Sequence, residues 1–160
     1  MSEGILGIHH VTAICSDAKQ HFEFYTQLLG MRLVKKTVNF DDPTAYHLYY
    51  GDTVGHPGTL LTFFAYPGGR KGTAGKGQTT AICFGVPSGS LGYWESRLEA
   101  AGIATFIQTR FGSPVLIFED PDGMQVELTD SASIRDTRPW ANSPVPAEAA
   151  ILGIDSVTLT

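Results

Sequence analysis

The chain is short of cysteine, of basic clusters and of long apolar runs. Among 160 residues there are two cysteines, Cys15 and Cys83, with no CxxC pair between them. That excludes a disulfide framework and a cysteine-built zinc site. Each lies in an apolar strand-like run and reads as a buried free thiol in a reducing cytosol. Only 11 residues are Lys or Arg, scattered at places such as Arg32, Lys35, Lys36, Arg70, Lys71 and Lys76. No cationic stripe for nucleic acid arises from them. No apolar stretch nears the roughly 20 residues that span a bilayer. Met1-Ser2-Glu3-Gly4 lacks the cationic start and apolar core of a signal peptide, so a cytoplasmic location without membrane is expected. What remains is 42% hydrophobic with a net charge of −5, an ordinary globular composition suited to a small-molecule partner.

Self-similarity organises the chain. Residues 8–15, Ile-His-His-Val-Thr-Ala-Ile-Cys, read as a strand, and Ser16 and Asp17 offer helix-capping oxygens. Phe22, Tyr25 and Leu29 then recur at helical spacing, and Gly30 closes the helix before Met31. A shift of about 72 residues repeats this grammar: strand 79–86, Ser88, the stripe Leu91, Trp94, Leu98 and Ala101, then Gly102 and Ile103. Three strand candidates follow each helix. They are 31–40, 45–51 and 59–66 in the first copy, and 103–110, 114–119 and 124–129 in the second. Asp41-Asp42-Pro43, Gly55-His56-Pro57-Gly58, Phe111-Gly112-Ser113 and Asp120-Pro121-Asp122-Gly123 mark the breaks. The expected fold is α+β, two tandem βαβββ modules forming curved mixed sheets with helices on the outside.

A third beginning closes the chain. Leu152-Gly153-Ile154-Asp155-Ser156-Val157-Thr158 shares five of seven residues with Leu6-Gly7-Ile8-His9-His10-Val11-Thr12. The expected organisation is a first module at 4–66, a flexible connection at 67–77, a second module at 78–130, a proline-containing linker at 131–150, and the first strand of a third module at 151–160. The Gly- and Lys-rich connection lacks the Gly-Lys-Ser/Thr ending and the strand-to-helix setting of a phosphate loop.

Two strands carry chemistry. His9 and His10 are adjacent, so they point to opposite faces. Val11 and Ala13 share the parity of His9, while Ile8, Thr12 and Ile14 share that of His10, and apolarity does not choose between the faces. Either histidine can be a core residue or a ligand. Glu127, in Met124-Gln125-Val126-Glu127-Leu128, is a ligand candidate or a solvent-facing strand residue. His21, His47 and His56 read as surface or structural. Tyr49, Tyr50, Phe63, Phe64 and Tyr66 read as core and cleft lining.

His10 in the first strand, the helix ending Leu-Leu-Gly-Met, and Asp-Pro-Asp-Gly-Met-Gln-Val-Glu-Leu in the second unit resemble the glyoxalase, bleomycin-resistance and extradiol-dioxygenase superfamily. The stretches from Lys35 to Pro43, from Tyr46 to Asp52 and at Pro57-Gly58-Thr59, with Arg110-Phe111-Gly112, resemble the N-terminal half of the hydroquinone-type ring-cleaving dioxygenases. The resemblance covers nearly the whole chain. It implies a divalent metal, Fe(II) or Mn(II), held by His10, with His9 as a nearby acid, base or hydrogen-bonding group. It places the remaining His and Glu ligands in a C-terminal half. Of the ligand slots two modules offer, His10 and Glu127 are filled by ligating residues, whereas Ile82 and Thr62 occupy the other two. The metal site is therefore incomplete in this chain, and either a homodimer partner or a C-terminal half would complete it. The implied activity is metal-dependent oxygenation of a hydroquinone- or catechol-type aromatic. A metal-free binding protein of the bleomycin-resistance kind, a glyoxalase-type isomerase, and a supporting half without chemistry of its own are the competing expectations.

Overall fold

Asp17 starts the first helix by accepting from the amides of Lys19 and Gln20 at 2.8 and 3.0 Å. The helix α1 (Ala18–Phe22) runs straight into a π-helical turn, Glu23–Leu28, and Gly30 ends it at φ 73°. The first strand, β1 (His10–Cys15), precedes it, and β2 (Arg32–Val38), β3 (Tyr46–Gly51) and β4 (Leu60–Ala65) follow. The second unit repeats the order: β5 (Thr79–Val86), α2 (Leu91–Ala100), β6 (Phe106–Arg110), β7 (Ser113–Glu119) and β8 (Gln125–Asp130). A 3₁₀ turn, Ala147–Ala149, leads to β9 (Gly153–Leu159). This computed structural model describes residues 4, 5, 7–73, 75–131 and 138–160. Met1, Ser2, Glu3 and Leu6 of the amino-terminal reading, Ala74 of the connection and residues 132–137 of the linker lie outside them.

The expected α+β architecture holds: two curved mixed sheets with the helices against one face. Sheet one has the order β1-β4-β3-β2, with β1 parallel to β4 and the other pairs antiparallel. Sheet two has the order β6-β7-β8-β5-β9, with β5 parallel to β8 and antiparallel to β9. Period-two alternation sends Leu48, Tyr50, Leu61, Phe63 and Ala65 to the helix side of sheet one, where all are buried. Tyr25 packs there against Tyr50 and Phe63, with ring centroids 5.2 and 5.0 Å away. In sheet two, Ile82, Phe84, Val126 and Leu128 meet α2 through Trp94 and Leu98, all buried.

Polar side chains tie the units together. Ser16 was a capping candidate, but its amide and hydroxyl both donate to Asp122, at 2.7 and 2.6 Å. His21 Nε2 lies 2.9 Å from the same carboxylate, and Tyr25 donates its hydroxyl to Asp120 at 3.1 Å. From the other side, Arg97 of α2 donates to the carbonyls of Gln27 and Leu28 at the end of the first helix, both at 2.8 Å. Ser88 does not cap α2 either; its hydroxyl donates to Asp130 at 3.3 Å, and Ser90 occupies the cap position.

Asp52 is the corresponding device at the far end of sheet one. One oxygen accepts from the amides of Val54, Gly55 and His56, and the other meets His56 Nδ1 at 2.5 Å and the Arg138 amide at 3.1 Å. Burial alone would raise its pKa, but these bonds outweigh it and draw the carboxyl down to about 2. A carboxylate depressed in the folded state stabilises above its unfolded pKa and loses that contribution as pH falls through the folded value. Asp52→Asn is therefore expected to cost about 1–3 kcal/mol at neutral pH. In urea melts run at several pH values, the wild type's advantage should be full above about 3.8 and vanish as pH falls through about 2. An advantage constant down to that pH would remove Asp52 from this role.

Candidate functional site

The pairing of β1 with β4 settles the parity of the adjacent histidines. His10 stands opposite Leu60, Thr12 opposite Thr62 and Ile14 opposite Phe64, while Val11, Ala13 and Cys15 share the helix side with Leu61, Phe63 and Ala65. His10 thus lies on the helix-free face of sheet one, and its ring is exposed. His9, just before the strand, is also exposed, and its Nδ1 lies 3.0 Å from His10 Nδ1. One of the two nitrogens must carry the proton in that bond. With Nδ1 so engaged, Nε2 is the His10 nitrogen left for a ligand.

His10 shares its face with a polar chain that spans three strands. Tyr49 and His47 alternate on β3 and so point the same way. Tyr49 Oη lies 2.9 Å from His47 Nδ1, His47 Nε2 lies 3.0 Å from Thr62 Oγ1, and Thr62 donates to Thr12 Oγ1 at 2.9 Å. The His47 ring packs on Phe64 with centroids 4.0 Å apart, and Lys35 Nζ lies 5.4 Å from the Tyr49 ring centroid. Burial first, then the charges of Lys35 and His10, hold the His47 pKa below its ordinary value. Expected to be structural or superficial, His47 lies half-buried on the same face as His10. The His-x-Tyr spacing in a strand is the signal that finds it.

Glu127 occupies the matching place in sheet two. It stands opposite Cys83 of β5 as Thr62 stands opposite Thr12 of β1. Register also shifts the first-strand comparison by one residue. Ile82 faces the core, so the residue matching His10 on the helix-free side is Ala81, which cannot ligate either. Glu127 is fully buried, and Arg110 grips it with two hydrogen bonds of 2.6 and 2.9 Å, while Gln125 Nε2 adds a third at 2.7 Å. Fork-on-carboxylate geometry of this kind satisfies both oxygens. The guanidinium occupies both carboxylate oxygens, and Arg110 was legible in the sequence only as part of a motif.

The other histidines hold structure. His21 is buried against Asp122, and the half-buried His56 pairs with the buried Asp52. Cys15 and Cys83 are buried free thiols, and burial first, with neighbouring carboxylates adding to it, pushes both up to about 12. Such thiols are poor nucleophiles and poor ligands.

A divalent ion needs several donors converging on one point. Among the described residues no group of three or more His, Cys, Asp or Glu side chains is placed to hold one. His10 offers one imidazole nitrogen, and Glu127 lies on the other sheet with its oxygens committed to Arg110. The donor set of these residues does not by itself make a metal site.

Residues 7–128 match the family model described as Glyoxalase/Bleomycin resistance protein/Dioxygenase superfamily. Over 153 residues the chain is 44% identical to "Putative ring-cleaving dioxygenase MhqE" of Bacillus subtilis (strain 168), covering 96% of this chain and 50% of that protein. It is 36% identical over 164 residues to the chlorohydroquinone/hydroquinone 1,2-dioxygenase of Sphingobium indicum, covering 51% of it. The chain thus spans about half the length of the curated relatives it matches. The crystal structure of a "putative dioxygenase from Bacillus subtilis subsp. subtilis str. 168" superposes with a TM-score of 0.92 at 41% identity, over 96% of this chain and 49% of that one. The glyoxalase-type domain from Frankia sp. EAN1pec superposes at 0.65 with 21% identity, which shows the shared fold. With the βαβββ order, the two sheets and the family match in agreement, the chain belongs to the glyoxalase/bleomycin resistance protein/dioxygenase superfamily.

Proposed function

We propose that this chain is the N-terminal half of a metal-dependent dioxygenase that opens a hydroquinone- or catechol-type ring with O₂, and that His10 is its contribution to the metal. The observation that carries this reading is the placement of His10: exposed on the helix-free face of sheet one, with Nδ1 tied to His9. A histidine ligand whose second nitrogen is held by a neighbour has a fixed tautomer and ring angle. His9 supplies that bond.

The free edge of β1 supports completion from outside the chain. β5, the matching strand of sheet two, is flanked by β8 and β9, whereas β1 has β4 on one side and no second neighbour among the described residues. A strand paired there, from a C-terminal half or from a second copy in a homodimer, would lie beside His10 and could carry the remaining ligands. Two histidines and a carboxylate with open positions suit Fe(II), and Mn(II) accepts the same donors. When bound, the ion would lower the pKa of a coordinated phenol and hold it beside O₂. Glu127 enters as a ligand only where Arg110 gives way, since the carboxylate must exchange two guanidinium bonds for the ion. No described helix is long and apolar enough to cross a membrane. The buried thiols fit a cytoplasmic setting.

Metal analysis and oxygen uptake test the reading on the natural polypeptide. The expected result is stoichiometric Fe or Mn, O₂ consumption with hydroquinone, and loss of at least 100-fold in metal affinity or activity in His10→Ala, since a directly coordinating residue should cost no less than the residues that support it. Metal-free protein that still binds a flat phenol would favour the binding-protein alternative on the same face.

A further inference from the structure

We propose that His47 and Tyr49 are positioning residues of the His10 face, acting through Thr62 to set the hydrogen bond that Thr12 offers to an oxygen of the bound ligand. This rests on the reading of that face as a ligand site.

The geometry allows one consistent direction. Thr62 gives its hydroxyl hydrogen to Thr12, so it must accept from His47 Nε2–H. A neutral His47 protonated on Nε2 has an acceptor at Nδ1, and Tyr49 Oη, 2.9 Å away, donates to it. Each link fixes the next. At the end of the chain, the hydroxyl hydrogen of Thr12 has no acceptor among the hydrogen bonds of the described residues. Thr12 lies two residues from His10 on the same side of β1, and it is exposed, whereas Thr62 beneath it is buried. A donor so placed suits a phenolate or carbonyl oxygen of an aromatic ligand.

The surroundings keep His47 in the required form. Lys35 of β2, His10 of β1, Tyr49 of β3 and the Phe64 ring of β4 are the groups around it. Burial first, then the charges of Lys35 and His10, disfavour a second proton on the imidazole. A neutral, singly oriented imidazole transmits polarisation along the chain, because hydrogen bonds in series strengthen one another. Ordinary packing does not require this order of groups. A solvent-facing sheet surface calls for polar residues, but not for a continuous hydrogen-bonded series across three strands.

The test follows imidazole ¹⁵N signals of the natural polypeptide by NMR while 4-nitrocatechol is added. The His10 signals report whether the probe occupies the face. The expected result is that both His10 and His47 signals move, with His47 showing the Nε2–H tautomer. Thr62→Val keeps the shape and cuts the chain. It should abolish the His47 response while the His10 response persists, and weaken probe binding roughly 3- to 10-fold. Tyr49→Phe should shift the His47 tautomer balance and weaken binding similarly, guarding against misfolding of the threonine variant. His47 signals unmoved by a probe that perturbs His10 would overturn the relay and leave the site reading intact. A probe that perturbs neither histidine would overturn both.

Discussion

Arg110→Met is expected to lower folding stability by about 3–5 kcal/mol, the cost of leaving a buried charge uncompensated. Glu127 is fully buried, and Arg110 supplies two of its three side-chain hydrogen bonds. The arginine side chain is about a quarter exposed, at 28%, so its own desolvation is partial and the burden falls on the carboxylate. A double change, Arg110→Met with Glu127→Leu, removes both charges and fills the space with apolar atoms. It should recover most of the loss, because a buried pair contributes little net stability over well-packed apolar residues. Urea unfolding of the wild type, the two single variants and the double variant gives the coupling. Additive single losses would mean that the two side chains do not depend on each other. The Arg110→Met protein also bears on chemistry. If Glu127 can serve an ion, added Mn(II) should stabilise this variant more than the wild type.

The second large effect concerns the junction between the units. Tyr25→Ala should cost about 3–5 kcal/mol, the range for emptying a fully buried aromatic site. Its ring lies against Tyr50, Phe63 and Phe24 at centroid distances of 5.2, 5.0 and 5.1 Å. Its hydroxyl also reaches the second unit at Asp120. Tyr25→Phe keeps the ring and deletes that bond, and should cost about 1–3 kcal/mol because a buried carboxylate oxygen loses a donor. Burial, reinforced by Asp120, raises the Tyr25 pKa well above the ordinary phenol value, so the hydroxyl remains a donor through the alkaline range. A phenylalanine variant as stable as wild type would show that the cross-unit bond adds nothing beyond ring packing.

Much of this architecture is legible in sequence because apolar period and turn residues act locally. The helix stripes at Phe22, Tyr25 and Leu29 and at Leu91, Trp94 and Leu98, ended by Gly30 and Gly102, predict both helices, and both glycines adopt positive φ. Strand 79–86 coincides with β5. What escaped needs partners from distant segments. Ser16 reads as a cap because only local acceptors are visible in sequence, yet its partner is Asp122, 106 residues away. The π-helical turn also escaped: it adds a residue to the turn, so Phe22 of the expected stripe is left exposed at 39% while Tyr25 and Leu29 are buried. Parity could not orient His9 against His10. Only the register with β4 does so, through the buried set Leu61, Phe63 and Ala65. Arg110 and Glu127 stand 17 residues apart, on strands separated by β7, so their contact emerges from sheet order rather than spacing. The link from His47 to the His10 face has a sequence signal of its own. His47 and Tyr49 alternate in a strand, and Thr12 and Thr62 fall at matching places in the first and last strands of one unit.

Pulsed electron paramagnetic resonance of the natural polypeptide loaded with Mn(II) addresses the role of His10 most directly. The spectrum should contain imidazole ¹⁴N couplings, and His10→Ala should lose one of them while a distant histidine change, His56→Gln, leaves all in place. Identical ¹⁴N couplings in the wild type and His10→Ala would contradict the assignment of this imidazole to the ion.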